Sequence, residues 1–417
     1  MVSHLRQAQP PVRAARPEAE QIEDLSTRLQ RAYPVDPAAI QVVRAPLRIC
    51  PLGAHIDHQL GVVTGVTIDQ AILMAFAPAV DGTVRLNSVN FEPETSFRLE
   101  DVPPCQPRDW GNYIRGAVLA LQRSYQLECG FVGMIGGNMP IGGLSSSAAV
   151  TIAYLLALEA VNQLTISPET NVSLVRFTEN QYIGLKNGIL DQSVILFSER
   201  NHLTHIDCQS VQIDKVPTPV PPPDFEILVV YSGVTDVLVG TDYNNRVAEC
   251  QEAARMLLAL AGQKIERTPC LRQVDPHLFA TKGRSLPSAL WKRAGHYFGE
   301  MQRVTGGLSA WRRGDIEHFG QLMTESGESS IKYYECGSPQ LITLYEILRA
   351  APGVYGTRFS GAGFRGNCIA LINPAARETI AEAIQRDYAQ AHPAQANLYS
   401  IHFCQPDGRA QLISRSR

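Results

Sequence analysis

Apolar and polar residues alternate along this chain with two different periods. Apolar residues recur at helical spacing in four segments, at 109–122, 145–163, 246–262 and 314–335, and this period predicts helices with a buried face. Continuous or β-branched apolar runs occupy 61–78, 225–233 and 353–372, the last interrupted by glycines, and such runs predict strands. Because helices and strands mix in both halves, the predicted fold class is α/β (or α+β).

A proline-rich stretch near the middle of the chain, VPTPVPPP at 216–223, separates the two halves. The 417 residues suffice for two domains with a core each. We therefore expect an N-terminal domain over 1–215 and a C-terminal domain over 216–417. The first twenty residues lack an apolar core segment, so they do not read as a secretory signal, and we expect residues 1–25 to be flexible.

Composition excludes several classes of function. The net charge is −3 and 18% of the residues are charged, so there is no basic excess to favour nucleic acid. No apolar run is long enough to span a bilayer. The nine cysteines are scattered, with no Cys-x-x-Cys pair, which argues against a disulfide framework and against a zinc site. A cytoplasmic protein is therefore expected.

The stretch MPIGGLSSSAA at 139–149 is the strongest local signal for chemistry. Gly142 and Gly143 permit backbone geometry that a side chain would block, and three serines at 145–147 lead into an Ala- and Leu-rich helix. The unpaired N–H groups and partial positive charge at such a helix start favour a bound phosphate. The structural alternative is an ordinary serine cap after a glycine turn. No lysine follows the glycines, so this is not a Walker A loop.

Two other polar groups interrupt apolar stretches. ICPLGAHIDHQLG at 49–61 carries His55, Asp57 and His58, a trio that in principle suits zinc. Asp191 interrupts the run GILDQSVILF, where an unpartnered carboxylate would be costly. Capping of a turn after Gly188 is the structural alternative for Asp191.

Three stretches, APLRICPLGAHIDHQLG, MPIGGLSSSAA and GTRFSGAGFRGNCIAL, follow one another in this order. Together they resemble the three signature motifs of the GHMP small-molecule kinases, and within these the galactokinase branch. Further resemblance to galactokinases lies in DWGNYIRG, NGILDQ, IDCQS, TDYNNRVAEC and RGDIEHFGQLMTES. The first stretch is most similar to the galacturonokinases of that branch.

The resemblance implies a two-domain GHMP kinase fold with the active site in the cleft between the domains. It implies ATP and Mg²⁺ as cofactors and a sugar acid as the small-molecule partner. The implied reaction is transfer of a phosphoryl group from ATP to the anomeric hydroxyl of D-galacturonate, which gives galacturonate 1-phosphate and ADP.

The resemblance also implies a role for each matched residue. Asp191 would contact the anomeric hydroxyl, and Arg48 would lie beside Asp191 and the transferring phosphoryl group. Ser147 and Glu179 would hold Mg²⁺. The residues implied in ATP binding are Gly142, Gly143, Leu144, Ser145, Ser146, Ser147, Gly361 and Gly363. Those implied in the sugar pocket are Ala54, His55, Asp57, His58, Lys186, Gly188 and Tyr243, a role that displaces the zinc interpretation. Trp110 and Tyr113 resemble a segment near the adenine.

Ala54 departs from the galactokinase pattern, which has Glu before the matched His. That Glu bonds the hydroxyl at carbon 6 of galactose, a contact worth about 0.5–1.5 kcal/mol, or up to ~3 kcal/mol for a charged partner. A carboxylate at carbon 6 would instead be repelled by Glu, by about 4 kcal/mol at ~4 Å and an effective dielectric of ~20. Because the repulsion is the larger effect, alanine favours an acidic sugar.

Three other positions leave two interpretations open. His58 and Lys186 are each a candidate to neutralise the substrate carboxylate, His58 as a donor that can become charged; alternatively Lys186 is a solvated loop residue. Arg365 stands where the family prefers Gly, so its backbone is either ordinary or strained. We expect its side chain to point to solvent rather than to contact a phosphate.

Other functions fit parts of the pattern. A galactokinase with relaxed specificity and kinases for arabinose, glucuronate or an amino sugar remain alternatives, and arabinose suits Ala54 nearly as well because it has no carbon 6. A non-catalytic sugar sensor is a further alternative. The presence of Arg48, Asp191, Ser147 and Glu179 favours an enzyme over a sensor.

Overall fold

The computed structural model describes residues 12–14, 16–140, 142–234 and 241–413. The helices are α1 Glu18–Ala32, α2 Asn112–Gln122, α3 Ser146–Val161, α4 Pro168–Phe177, α5 Leu190–Phe197, α6 Thr241–Leu260, α7 Pro276–Lys282, α8 Ser288–Arg313, α9 Ile316–Ser329, α10 Pro339–Ala350 and α11 Arg377–Ala391. The strands are β1 Gln41–Ile49, β2 Val62–Ala79, β3 Thr83–Ser88, β4 Thr95–Arg98, β5 Gly130–Gly137, β6 His202–Asp207, β7 Gln212–Pro217, β8 Glu226–Tyr231, β9 Val354–Ser360, β10 Asn367–Ile372, β11 Ser400–Cys404 and β12 Gln411–Ile413. The predicted mixture of helices and strands in both halves is confirmed.

The first sheet has eight strands and is organised around the long strand β2. Its main path runs β12-β1-β2-β5-β3-β4, and β6 and β7 extend from the start of β2. Residues 62–65 of β2 pair with β6, whereas residues 72–79 pair with β5. The sheet is antiparallel except for the β3–β5 pair. One continuous strand therefore links the two parts of the sheet. Residues 53–58, which include several of those implied in the sugar pocket and are called the sugar loop below, lie just before this strand.

The second sheet has four antiparallel strands in the order β11-β8-β10-β9. Along the sequence, β1–β7 of the first sheet come before residues 218–225, and the strands of the second sheet come after them. This is where the prolines predict a boundary. The end of the chain does not follow this division, because β12 pairs with β1 in the first sheet. A simple split at 215/216 therefore does not account for the last strand.

Buried apolar residues explain why α3 lies at the centre of the first half. Its side chains from Ala148 to Leu158 are almost all buried, as expected for a helix that is apolar on every side. It packs on β1, β2 and α2. This central position fixes the start of the helix, Ser146, close to the strand that carries Arg48.

Several boundaries differ from the sequence prediction. The helix predicted over 246–262 spans Thr241–Leu260, and two further differences are local. The helix predicted from residue 109 begins at Asn112, because Asp109 accepts a hydrogen bond from the N–H of Gly111 at 2.8 Å and forms a turn. The helix predicted over 314–335 ends at Ser329 and continues as a π-helical turn, Ser330–Tyr334.

Helix α1 corrects the expected flexibility of residues 1–25. Residues 18–25 lie in this helix, and Leu25 and Leu29 are buried in a second apolar cluster with Val42 and Leu73 of the sheet. The expectation is therefore wrong for 18–25, whereas residues 1–11 and 15 lie outside the described part of the chain. Across the described helices, none is both long and apolar enough to cross a membrane.

Candidate active site

The predicted phosphate loop has the backbone geometry that its glycines allow. Gly142 and Gly143 have φ of 122° and 80°, and Ser145 has φ of 58°. Ser145 stands at the cap position of α3, but its side chain makes no capping bond, and its buried hydroxyl has no partner in the described part of the chain. The serine-cap alternative is therefore not supported, and the start of α3 keeps N–H groups and a hydroxyl for an anion.

The two glycine-rich loops pack directly against each other. A Cβ on Gly361 would lie 2.5 Å from the Cα of Gly143, and a Cβ on Gly143 would lie 2.7 Å from the carbonyl of Ser360. The amide of Asn367 donates to the carbonyl of Gly142. Gly363 instead packs towards Cys336, because a Cβ on Gly363 would lie 2.7 Å from the Sγ of Cys336. Gly361 is thus adjacent to the phosphate loop. Gly363 instead packs the second glycine-rich loop, residues 360–366, against Cys336.

Arg365 has ordinary backbone geometry, since its φ is not positive. Its side chain is half-buried, and its charge acts on the hydroxyl of Tyr113. The side chain is therefore not fully exposed, and the expectation that it points to solvent rather than to a phosphate stays a prediction.

Arg48 and Asp191 form the ion pair that the resemblance implies. The Nε and Nη2 atoms of Arg48 donate to Oδ1 of Asp191 at 2.9 and 2.6 Å. Its Nη1 lies 3.4 Å from the carbonyl of Gly143 and 3.5 Å from the hydroxyl of Ser360. Arg48 comes from β1 and is 3% exposed, and its N–H donates to the carbonyl of Leu144 at 3.2 Å. One buried guanidinium therefore joins the carboxylate to both glycine-rich loops.

The sugar-loop residues follow β1 in a tight, buried turn. His55 has φ of 60°, and its ring stacks on Tyr334 at 4.3 Å between centroids. Asp57 begins a 3₁₀ turn and accepts from the N–H of Leu190 at 3.4 Å. A Cβ on Gly188 would lie 2.4 Å from Oδ2 of Asp57, so only glycine lets the 188–191 segment approach this carboxylate. The structure thus brings the sugar loop next to the 188–191 segment, which carries Asp191.

Burial dominates the electrostatics of these residues. Burial, and to a smaller extent the nearby Asp191, together raise the pKa of Asp57 to about 6. Burial lowers the pKa of His55 well below its ordinary value. Burial and Asp57 together raise the pKa of the Tyr243 hydroxyl. At neutral pH, His55 is therefore an uncharged hydrogen-bonding group, and Tyr243 is a donor.

Burial keeps the side chain of His58 uncharged at neutral pH. Burial lowers its pKa to about 3. Its Nδ1 lies 3.0 Å from the amide of Gln59 and its Nε2 lies 3.2 Å from the hydroxyl of Tyr334. The ring also packs edge-on against Tyr243, at 5.9 Å between centroids. His58 is therefore a neutral support of the pocket, and its suggested role as a partner of the substrate carboxylate stays a prediction.

Lys186 lies at the edge of the site. Its side chain is exposed, and its backbone N–H donates at 3.2 Å to Asn244, the residue after Tyr243. The position agrees with a solvated loop lysine and is also next to the sugar-pocket residues.

Glu179 and Ser147 supply the features that a cation needs. Glu179 lies in a π-helical turn, Thr178–Ile183, and is 1% exposed. Burial, and then the nearby Asp191, raise the pKa of its carboxyl to about 7, although hydrogen bonds from Asn187 and Ser147 act in the opposite direction. Asn187 donates to Oε2, whereas the buried Oε1 has no partner among the described residues. Such an oxygen fits a hard cation like Mg²⁺.

A metal held by protein side chains alone is not supported. Among the described residues, no group of three or more His, Cys, Asp or Glu is arranged to hold a metal ion. Among these residues, His55, Asp57 and His58 therefore do not form such a group. A magnesium ion at Glu179 and Ser147 would need phosphate oxygens and water for its remaining ligands.

An apolar cavity opens beside the start of α3. It is lined by Phe91, Trp110, Tyr113, Ser146 and Ser147, among others. The rings of Phe91 and Trp110 are nearly parallel, at 6.4 Å, and the indole N–H donates to the carbonyl of Pro93 at 2.9 Å. An aromatic wall next to a phosphate loop suits a nucleotide base.

Sequence reasoning missed Phe91, Tyr334, His296 and Glu300. His296 and Glu300 are polar residues four positions apart in α8 and are 1% and 0% exposed. That spacing puts them on one helix face, which was the available signal. Tyr334 and Phe91 carry no such signal, because their contacts form only in the folded chain.

Comparisons with known proteins agree with this geometry. Residues 112–199 match the family model for the GHMP kinases N terminal domain, and residues 308–390 match that for GHMP kinases C terminal. The chain is 46% identical over 382 residues to a galacturonokinase of Arabidopsis thaliana, which covers 87% of this chain and 90% of that protein. It is 34% identical to a galactokinase of Roseiflexus sp. (strain RS-1), over 94% of this chain and 98% of that protein.

A solved structure agrees as well. Lactococcus lactis galactokinase complexed with galactose superimposes with a TM-score of 0.86 at 27% identity, over 94% of this chain and 99% of that one. This confirms the predicted GHMP kinase fold. The chain belongs to the GHMP kinase family, within the group of sugar kinases that includes the galactokinases and galacturonokinases.

Proposed function

We propose that this sugar kinase phosphorylates the anomeric hydroxyl of D-galacturonate with ATP, giving galacturonate 1-phosphate and ADP. The observation that carries the proposal is Ala54, a methyl group in the sugar loop where galactokinases place a carboxylate. The 46% identity to a galacturonokinase supports the same substrate. A negative charge absent at this point removes a repulsion of about 4 kcal/mol for an anionic sugar.

The transfer can be assigned to groups of this chain. The anomeric oxygen forms a bond to the γ-phosphorus, the bond from that phosphorus to the β–γ bridging oxygen breaks, and ADP leaves with that electron pair. Asp191 accepts the hydroxyl proton or orients the hydroxyl for attack. Arg48 holds Asp191 by two hydrogen bonds and reaches towards both glycine-rich loops, where it offsets negative charge on the phosphoryl oxygens.

The remaining groups bind and orient the substrates. The start of α3 and Gly361 hold the phosphates of ATP, and the wall of Phe91 and Trp110 takes the base. Asp57 accepts hydrogen bonds from ring hydroxyls, next to His55 and Tyr243. Ser147 and Glu179 would hold Mg²⁺, which when bound neutralises charge on the phosphates.

The proposal places the enzyme in the cytoplasm, where ATP is available. All nine cysteines are free thiols, and seven are buried, which suits a reducing compartment.

The direct test is an ADP-release assay of the wild-type enzyme with galacturonate, glucuronate, galactose and arabinose. We expect galacturonate to have the highest kcat/KM. A higher value for galactose or arabinose would contradict the substrate assignment. Asp191→Asn should lower kcat with galacturonate by about 10²–10⁴-fold while sugar binding by calorimetry persists, and a protein with no wild-type turnover would instead be a sensor.

A further inference from the structure

The backbone carbonyl of Ala54 is engaged by a buried histidine from the second half of the chain. Nε2 of His296 lies 2.9 Å from this oxygen, and Nδ1 lies 2.9 Å from the hydroxyl of Ser329. Because a carbonyl only accepts, Nε2 carries the proton and Ser329 donates to Nδ1. Burial lowers the pKa of His296 to about 4, so the ring is neutral and has this single N–H to give.

The neighbouring peptide is engaged from the same helix. The N–H of Gly53 donates to Oε2 of Glu300 at 2.8 Å, and Ser326 donates to the same oxygen at 2.9 Å. Glu300 follows His296 by one turn of α8, so both residues face the sugar loop. The loop around Ala54 is therefore fixed by α8 and α9, although these helices lie more than 240 residues further along the chain.

We propose that His296 is a positioning residue for sugar discrimination, because it occupies one of the two lone pairs of the Ala54 carbonyl and fixes the direction of this backbone acceptor. The proposal rests on the proposed function, in which Ala54 lies at the exocyclic end of the sugar. A free carbonyl there would attract the hydroxyl of galactose and repel the carboxylate of galacturonate. The methyl side chain offers no acceptor at this end, and the carbonyl is directed towards His296 rather than left free.

The test compares two substitutions of His296 by the ratio of kcat/KM for galacturonate to kcat/KM for galactose. His296→Phe removes the donor and should lower this ratio about tenfold, the effect of one hydrogen-bonding group. His296→Gln keeps a donor N–H and should restore most of the ratio. The KM for ATP should stay unchanged in both, since the phosphate loop is not touched. A merely structural role would lower both sugars equally and leave the ratio unchanged.

Ser329→Ala provides a milder test that does not alter the ring. Without the Ser329 donor, Nδ1 is left buried without its partner and the ring is held less firmly against the carbonyl of Ala54, so the ratio should fall in the same direction by about threefold. If His296→Phe does not fold, this variant carries the test. His402→Gln is the matched control, because His402 is also a buried histidine paired with a serine, Ser400, at 2.8 Å, but lies in β11; its ratio should equal that of the wild type.

The outcomes separate this inference from the proposed function. A wild-type enzyme that prefers galactose would overturn the proposed function and this inference with it. A wild type that prefers galacturonate, with the same ratio in Ser329→Ala and in any folded His296→Phe, would overturn the inference alone.

Discussion

At the scale of single residues, the cleft concentrates buried carboxylates around one guanidinium. Asp57, Glu179 and Asp191 lie near one another, and Arg48 bonds only Asp191 among them. Burial in this group raises the pKa of Asp57 to about 6 and that of Glu179 to about 7. Without bound ligands, burying these carboxyl groups lowers the stability of the folded protein. Sugar hydroxyls and a cation that bind to them would reduce this cost.

Asp57→Asn should reveal this cost through the pH dependence of stability. The pKa of Asp57 is about 6 in the fold, above the ordinary ~4 of an unfolded chain. The folded state therefore binds this proton more tightly, so the free energy of unfolding falls as pH rises from about 4 to about 6. The ligand-free variant should be more stable than the wild type at pH 7, by up to about 3 kcal/mol, and equal to it near pH 4. Thermal unfolding across this range measures the difference, and a pH-independent difference would contradict the account.

Residues that carry the family motifs could be predicted from the sequence, and residues that support them could not. The pairing of Arg48 with Asp191 followed from matched motifs, because each residue lies in a recognisable stretch. The neutrality of His58 did not follow, since burial lowers its pKa only once Tyr334 and Gln59 enclose it. The residue types that carry the chemistry could be interpreted from the sequence, whereas the protonation state of His58 also depends on Tyr334, which is 276 residues away in sequence.

At the scale of elements, two glycine-rich loops from different halves of the chain form one surface. Gly143 and Gly361 approach so closely that a Cβ on either would meet backbone atoms. Their contact places the start of α3 opposite the turn between β9 and β10. The helices and strands themselves were predictable from periodicity, but this loop-to-loop contact has no periodic signal.

Gly143→Ala should disrupt the phosphate loop. The new Cβ would lie 2.7 Å from the carbonyl of Ser360, at φ of 80°, so the loops must separate. We expect a raised KM for ATP, by about tenfold or more, and a loss of about 1–3 kcal/mol in stability. Gly262→Ala is the matched control, because Gly262 also has a positive φ, 66°, but has nothing within 4 Å of the added Cβ. Equal KM values for ATP in Gly143→Ala and Gly262→Ala would contradict the prediction that the two loops must separate.

At the scale of the whole molecule, the end of the chain closes the first sheet. Asp407, just before β12, pairs with Arg44 of β1 and with Arg200, and its backbone bonds Thr67 of β2. Arg44 in turn bonds Glu18 of α1 at 2.6 Å. One buried carboxylate thus ties together distant segments. The proline-rich stretch predicted a division of the chain into two domains, but it did not indicate that the end of the chain pairs with β1 of the first sheet.

Asp407→Asn tests this closure. The substitution leaves the buried Arg44 without its close carboxylate, and we expect a loss of about 2–3 kcal/mol in the free energy of unfolding. Sugar and ATP constants should not change, because Asp407 lies outside the cleft. Asp387→Asn removes an exposed pair with Arg386 and should cost less than about 1 kcal/mol. Similar losses in both variants, by denaturant unfolding, would show that the pair does not close the sheet.

The most direct test of the central claim is substitution of residue 54 itself, with charge separated from size. Ala54→Glu restores a carboxylate, and Ala54→Gln adds nearly the same volume without charge. The account predicts that Ala54→Glu lowers the ratio of kcat/KM for galacturonate to that for galactose by at least about tenfold more than Ala54→Gln does, since ~4 kcal/mol of repulsion is the upper bound. Equal ratios in the two variants would contradict the claim that a missing negative charge selects the acidic sugar.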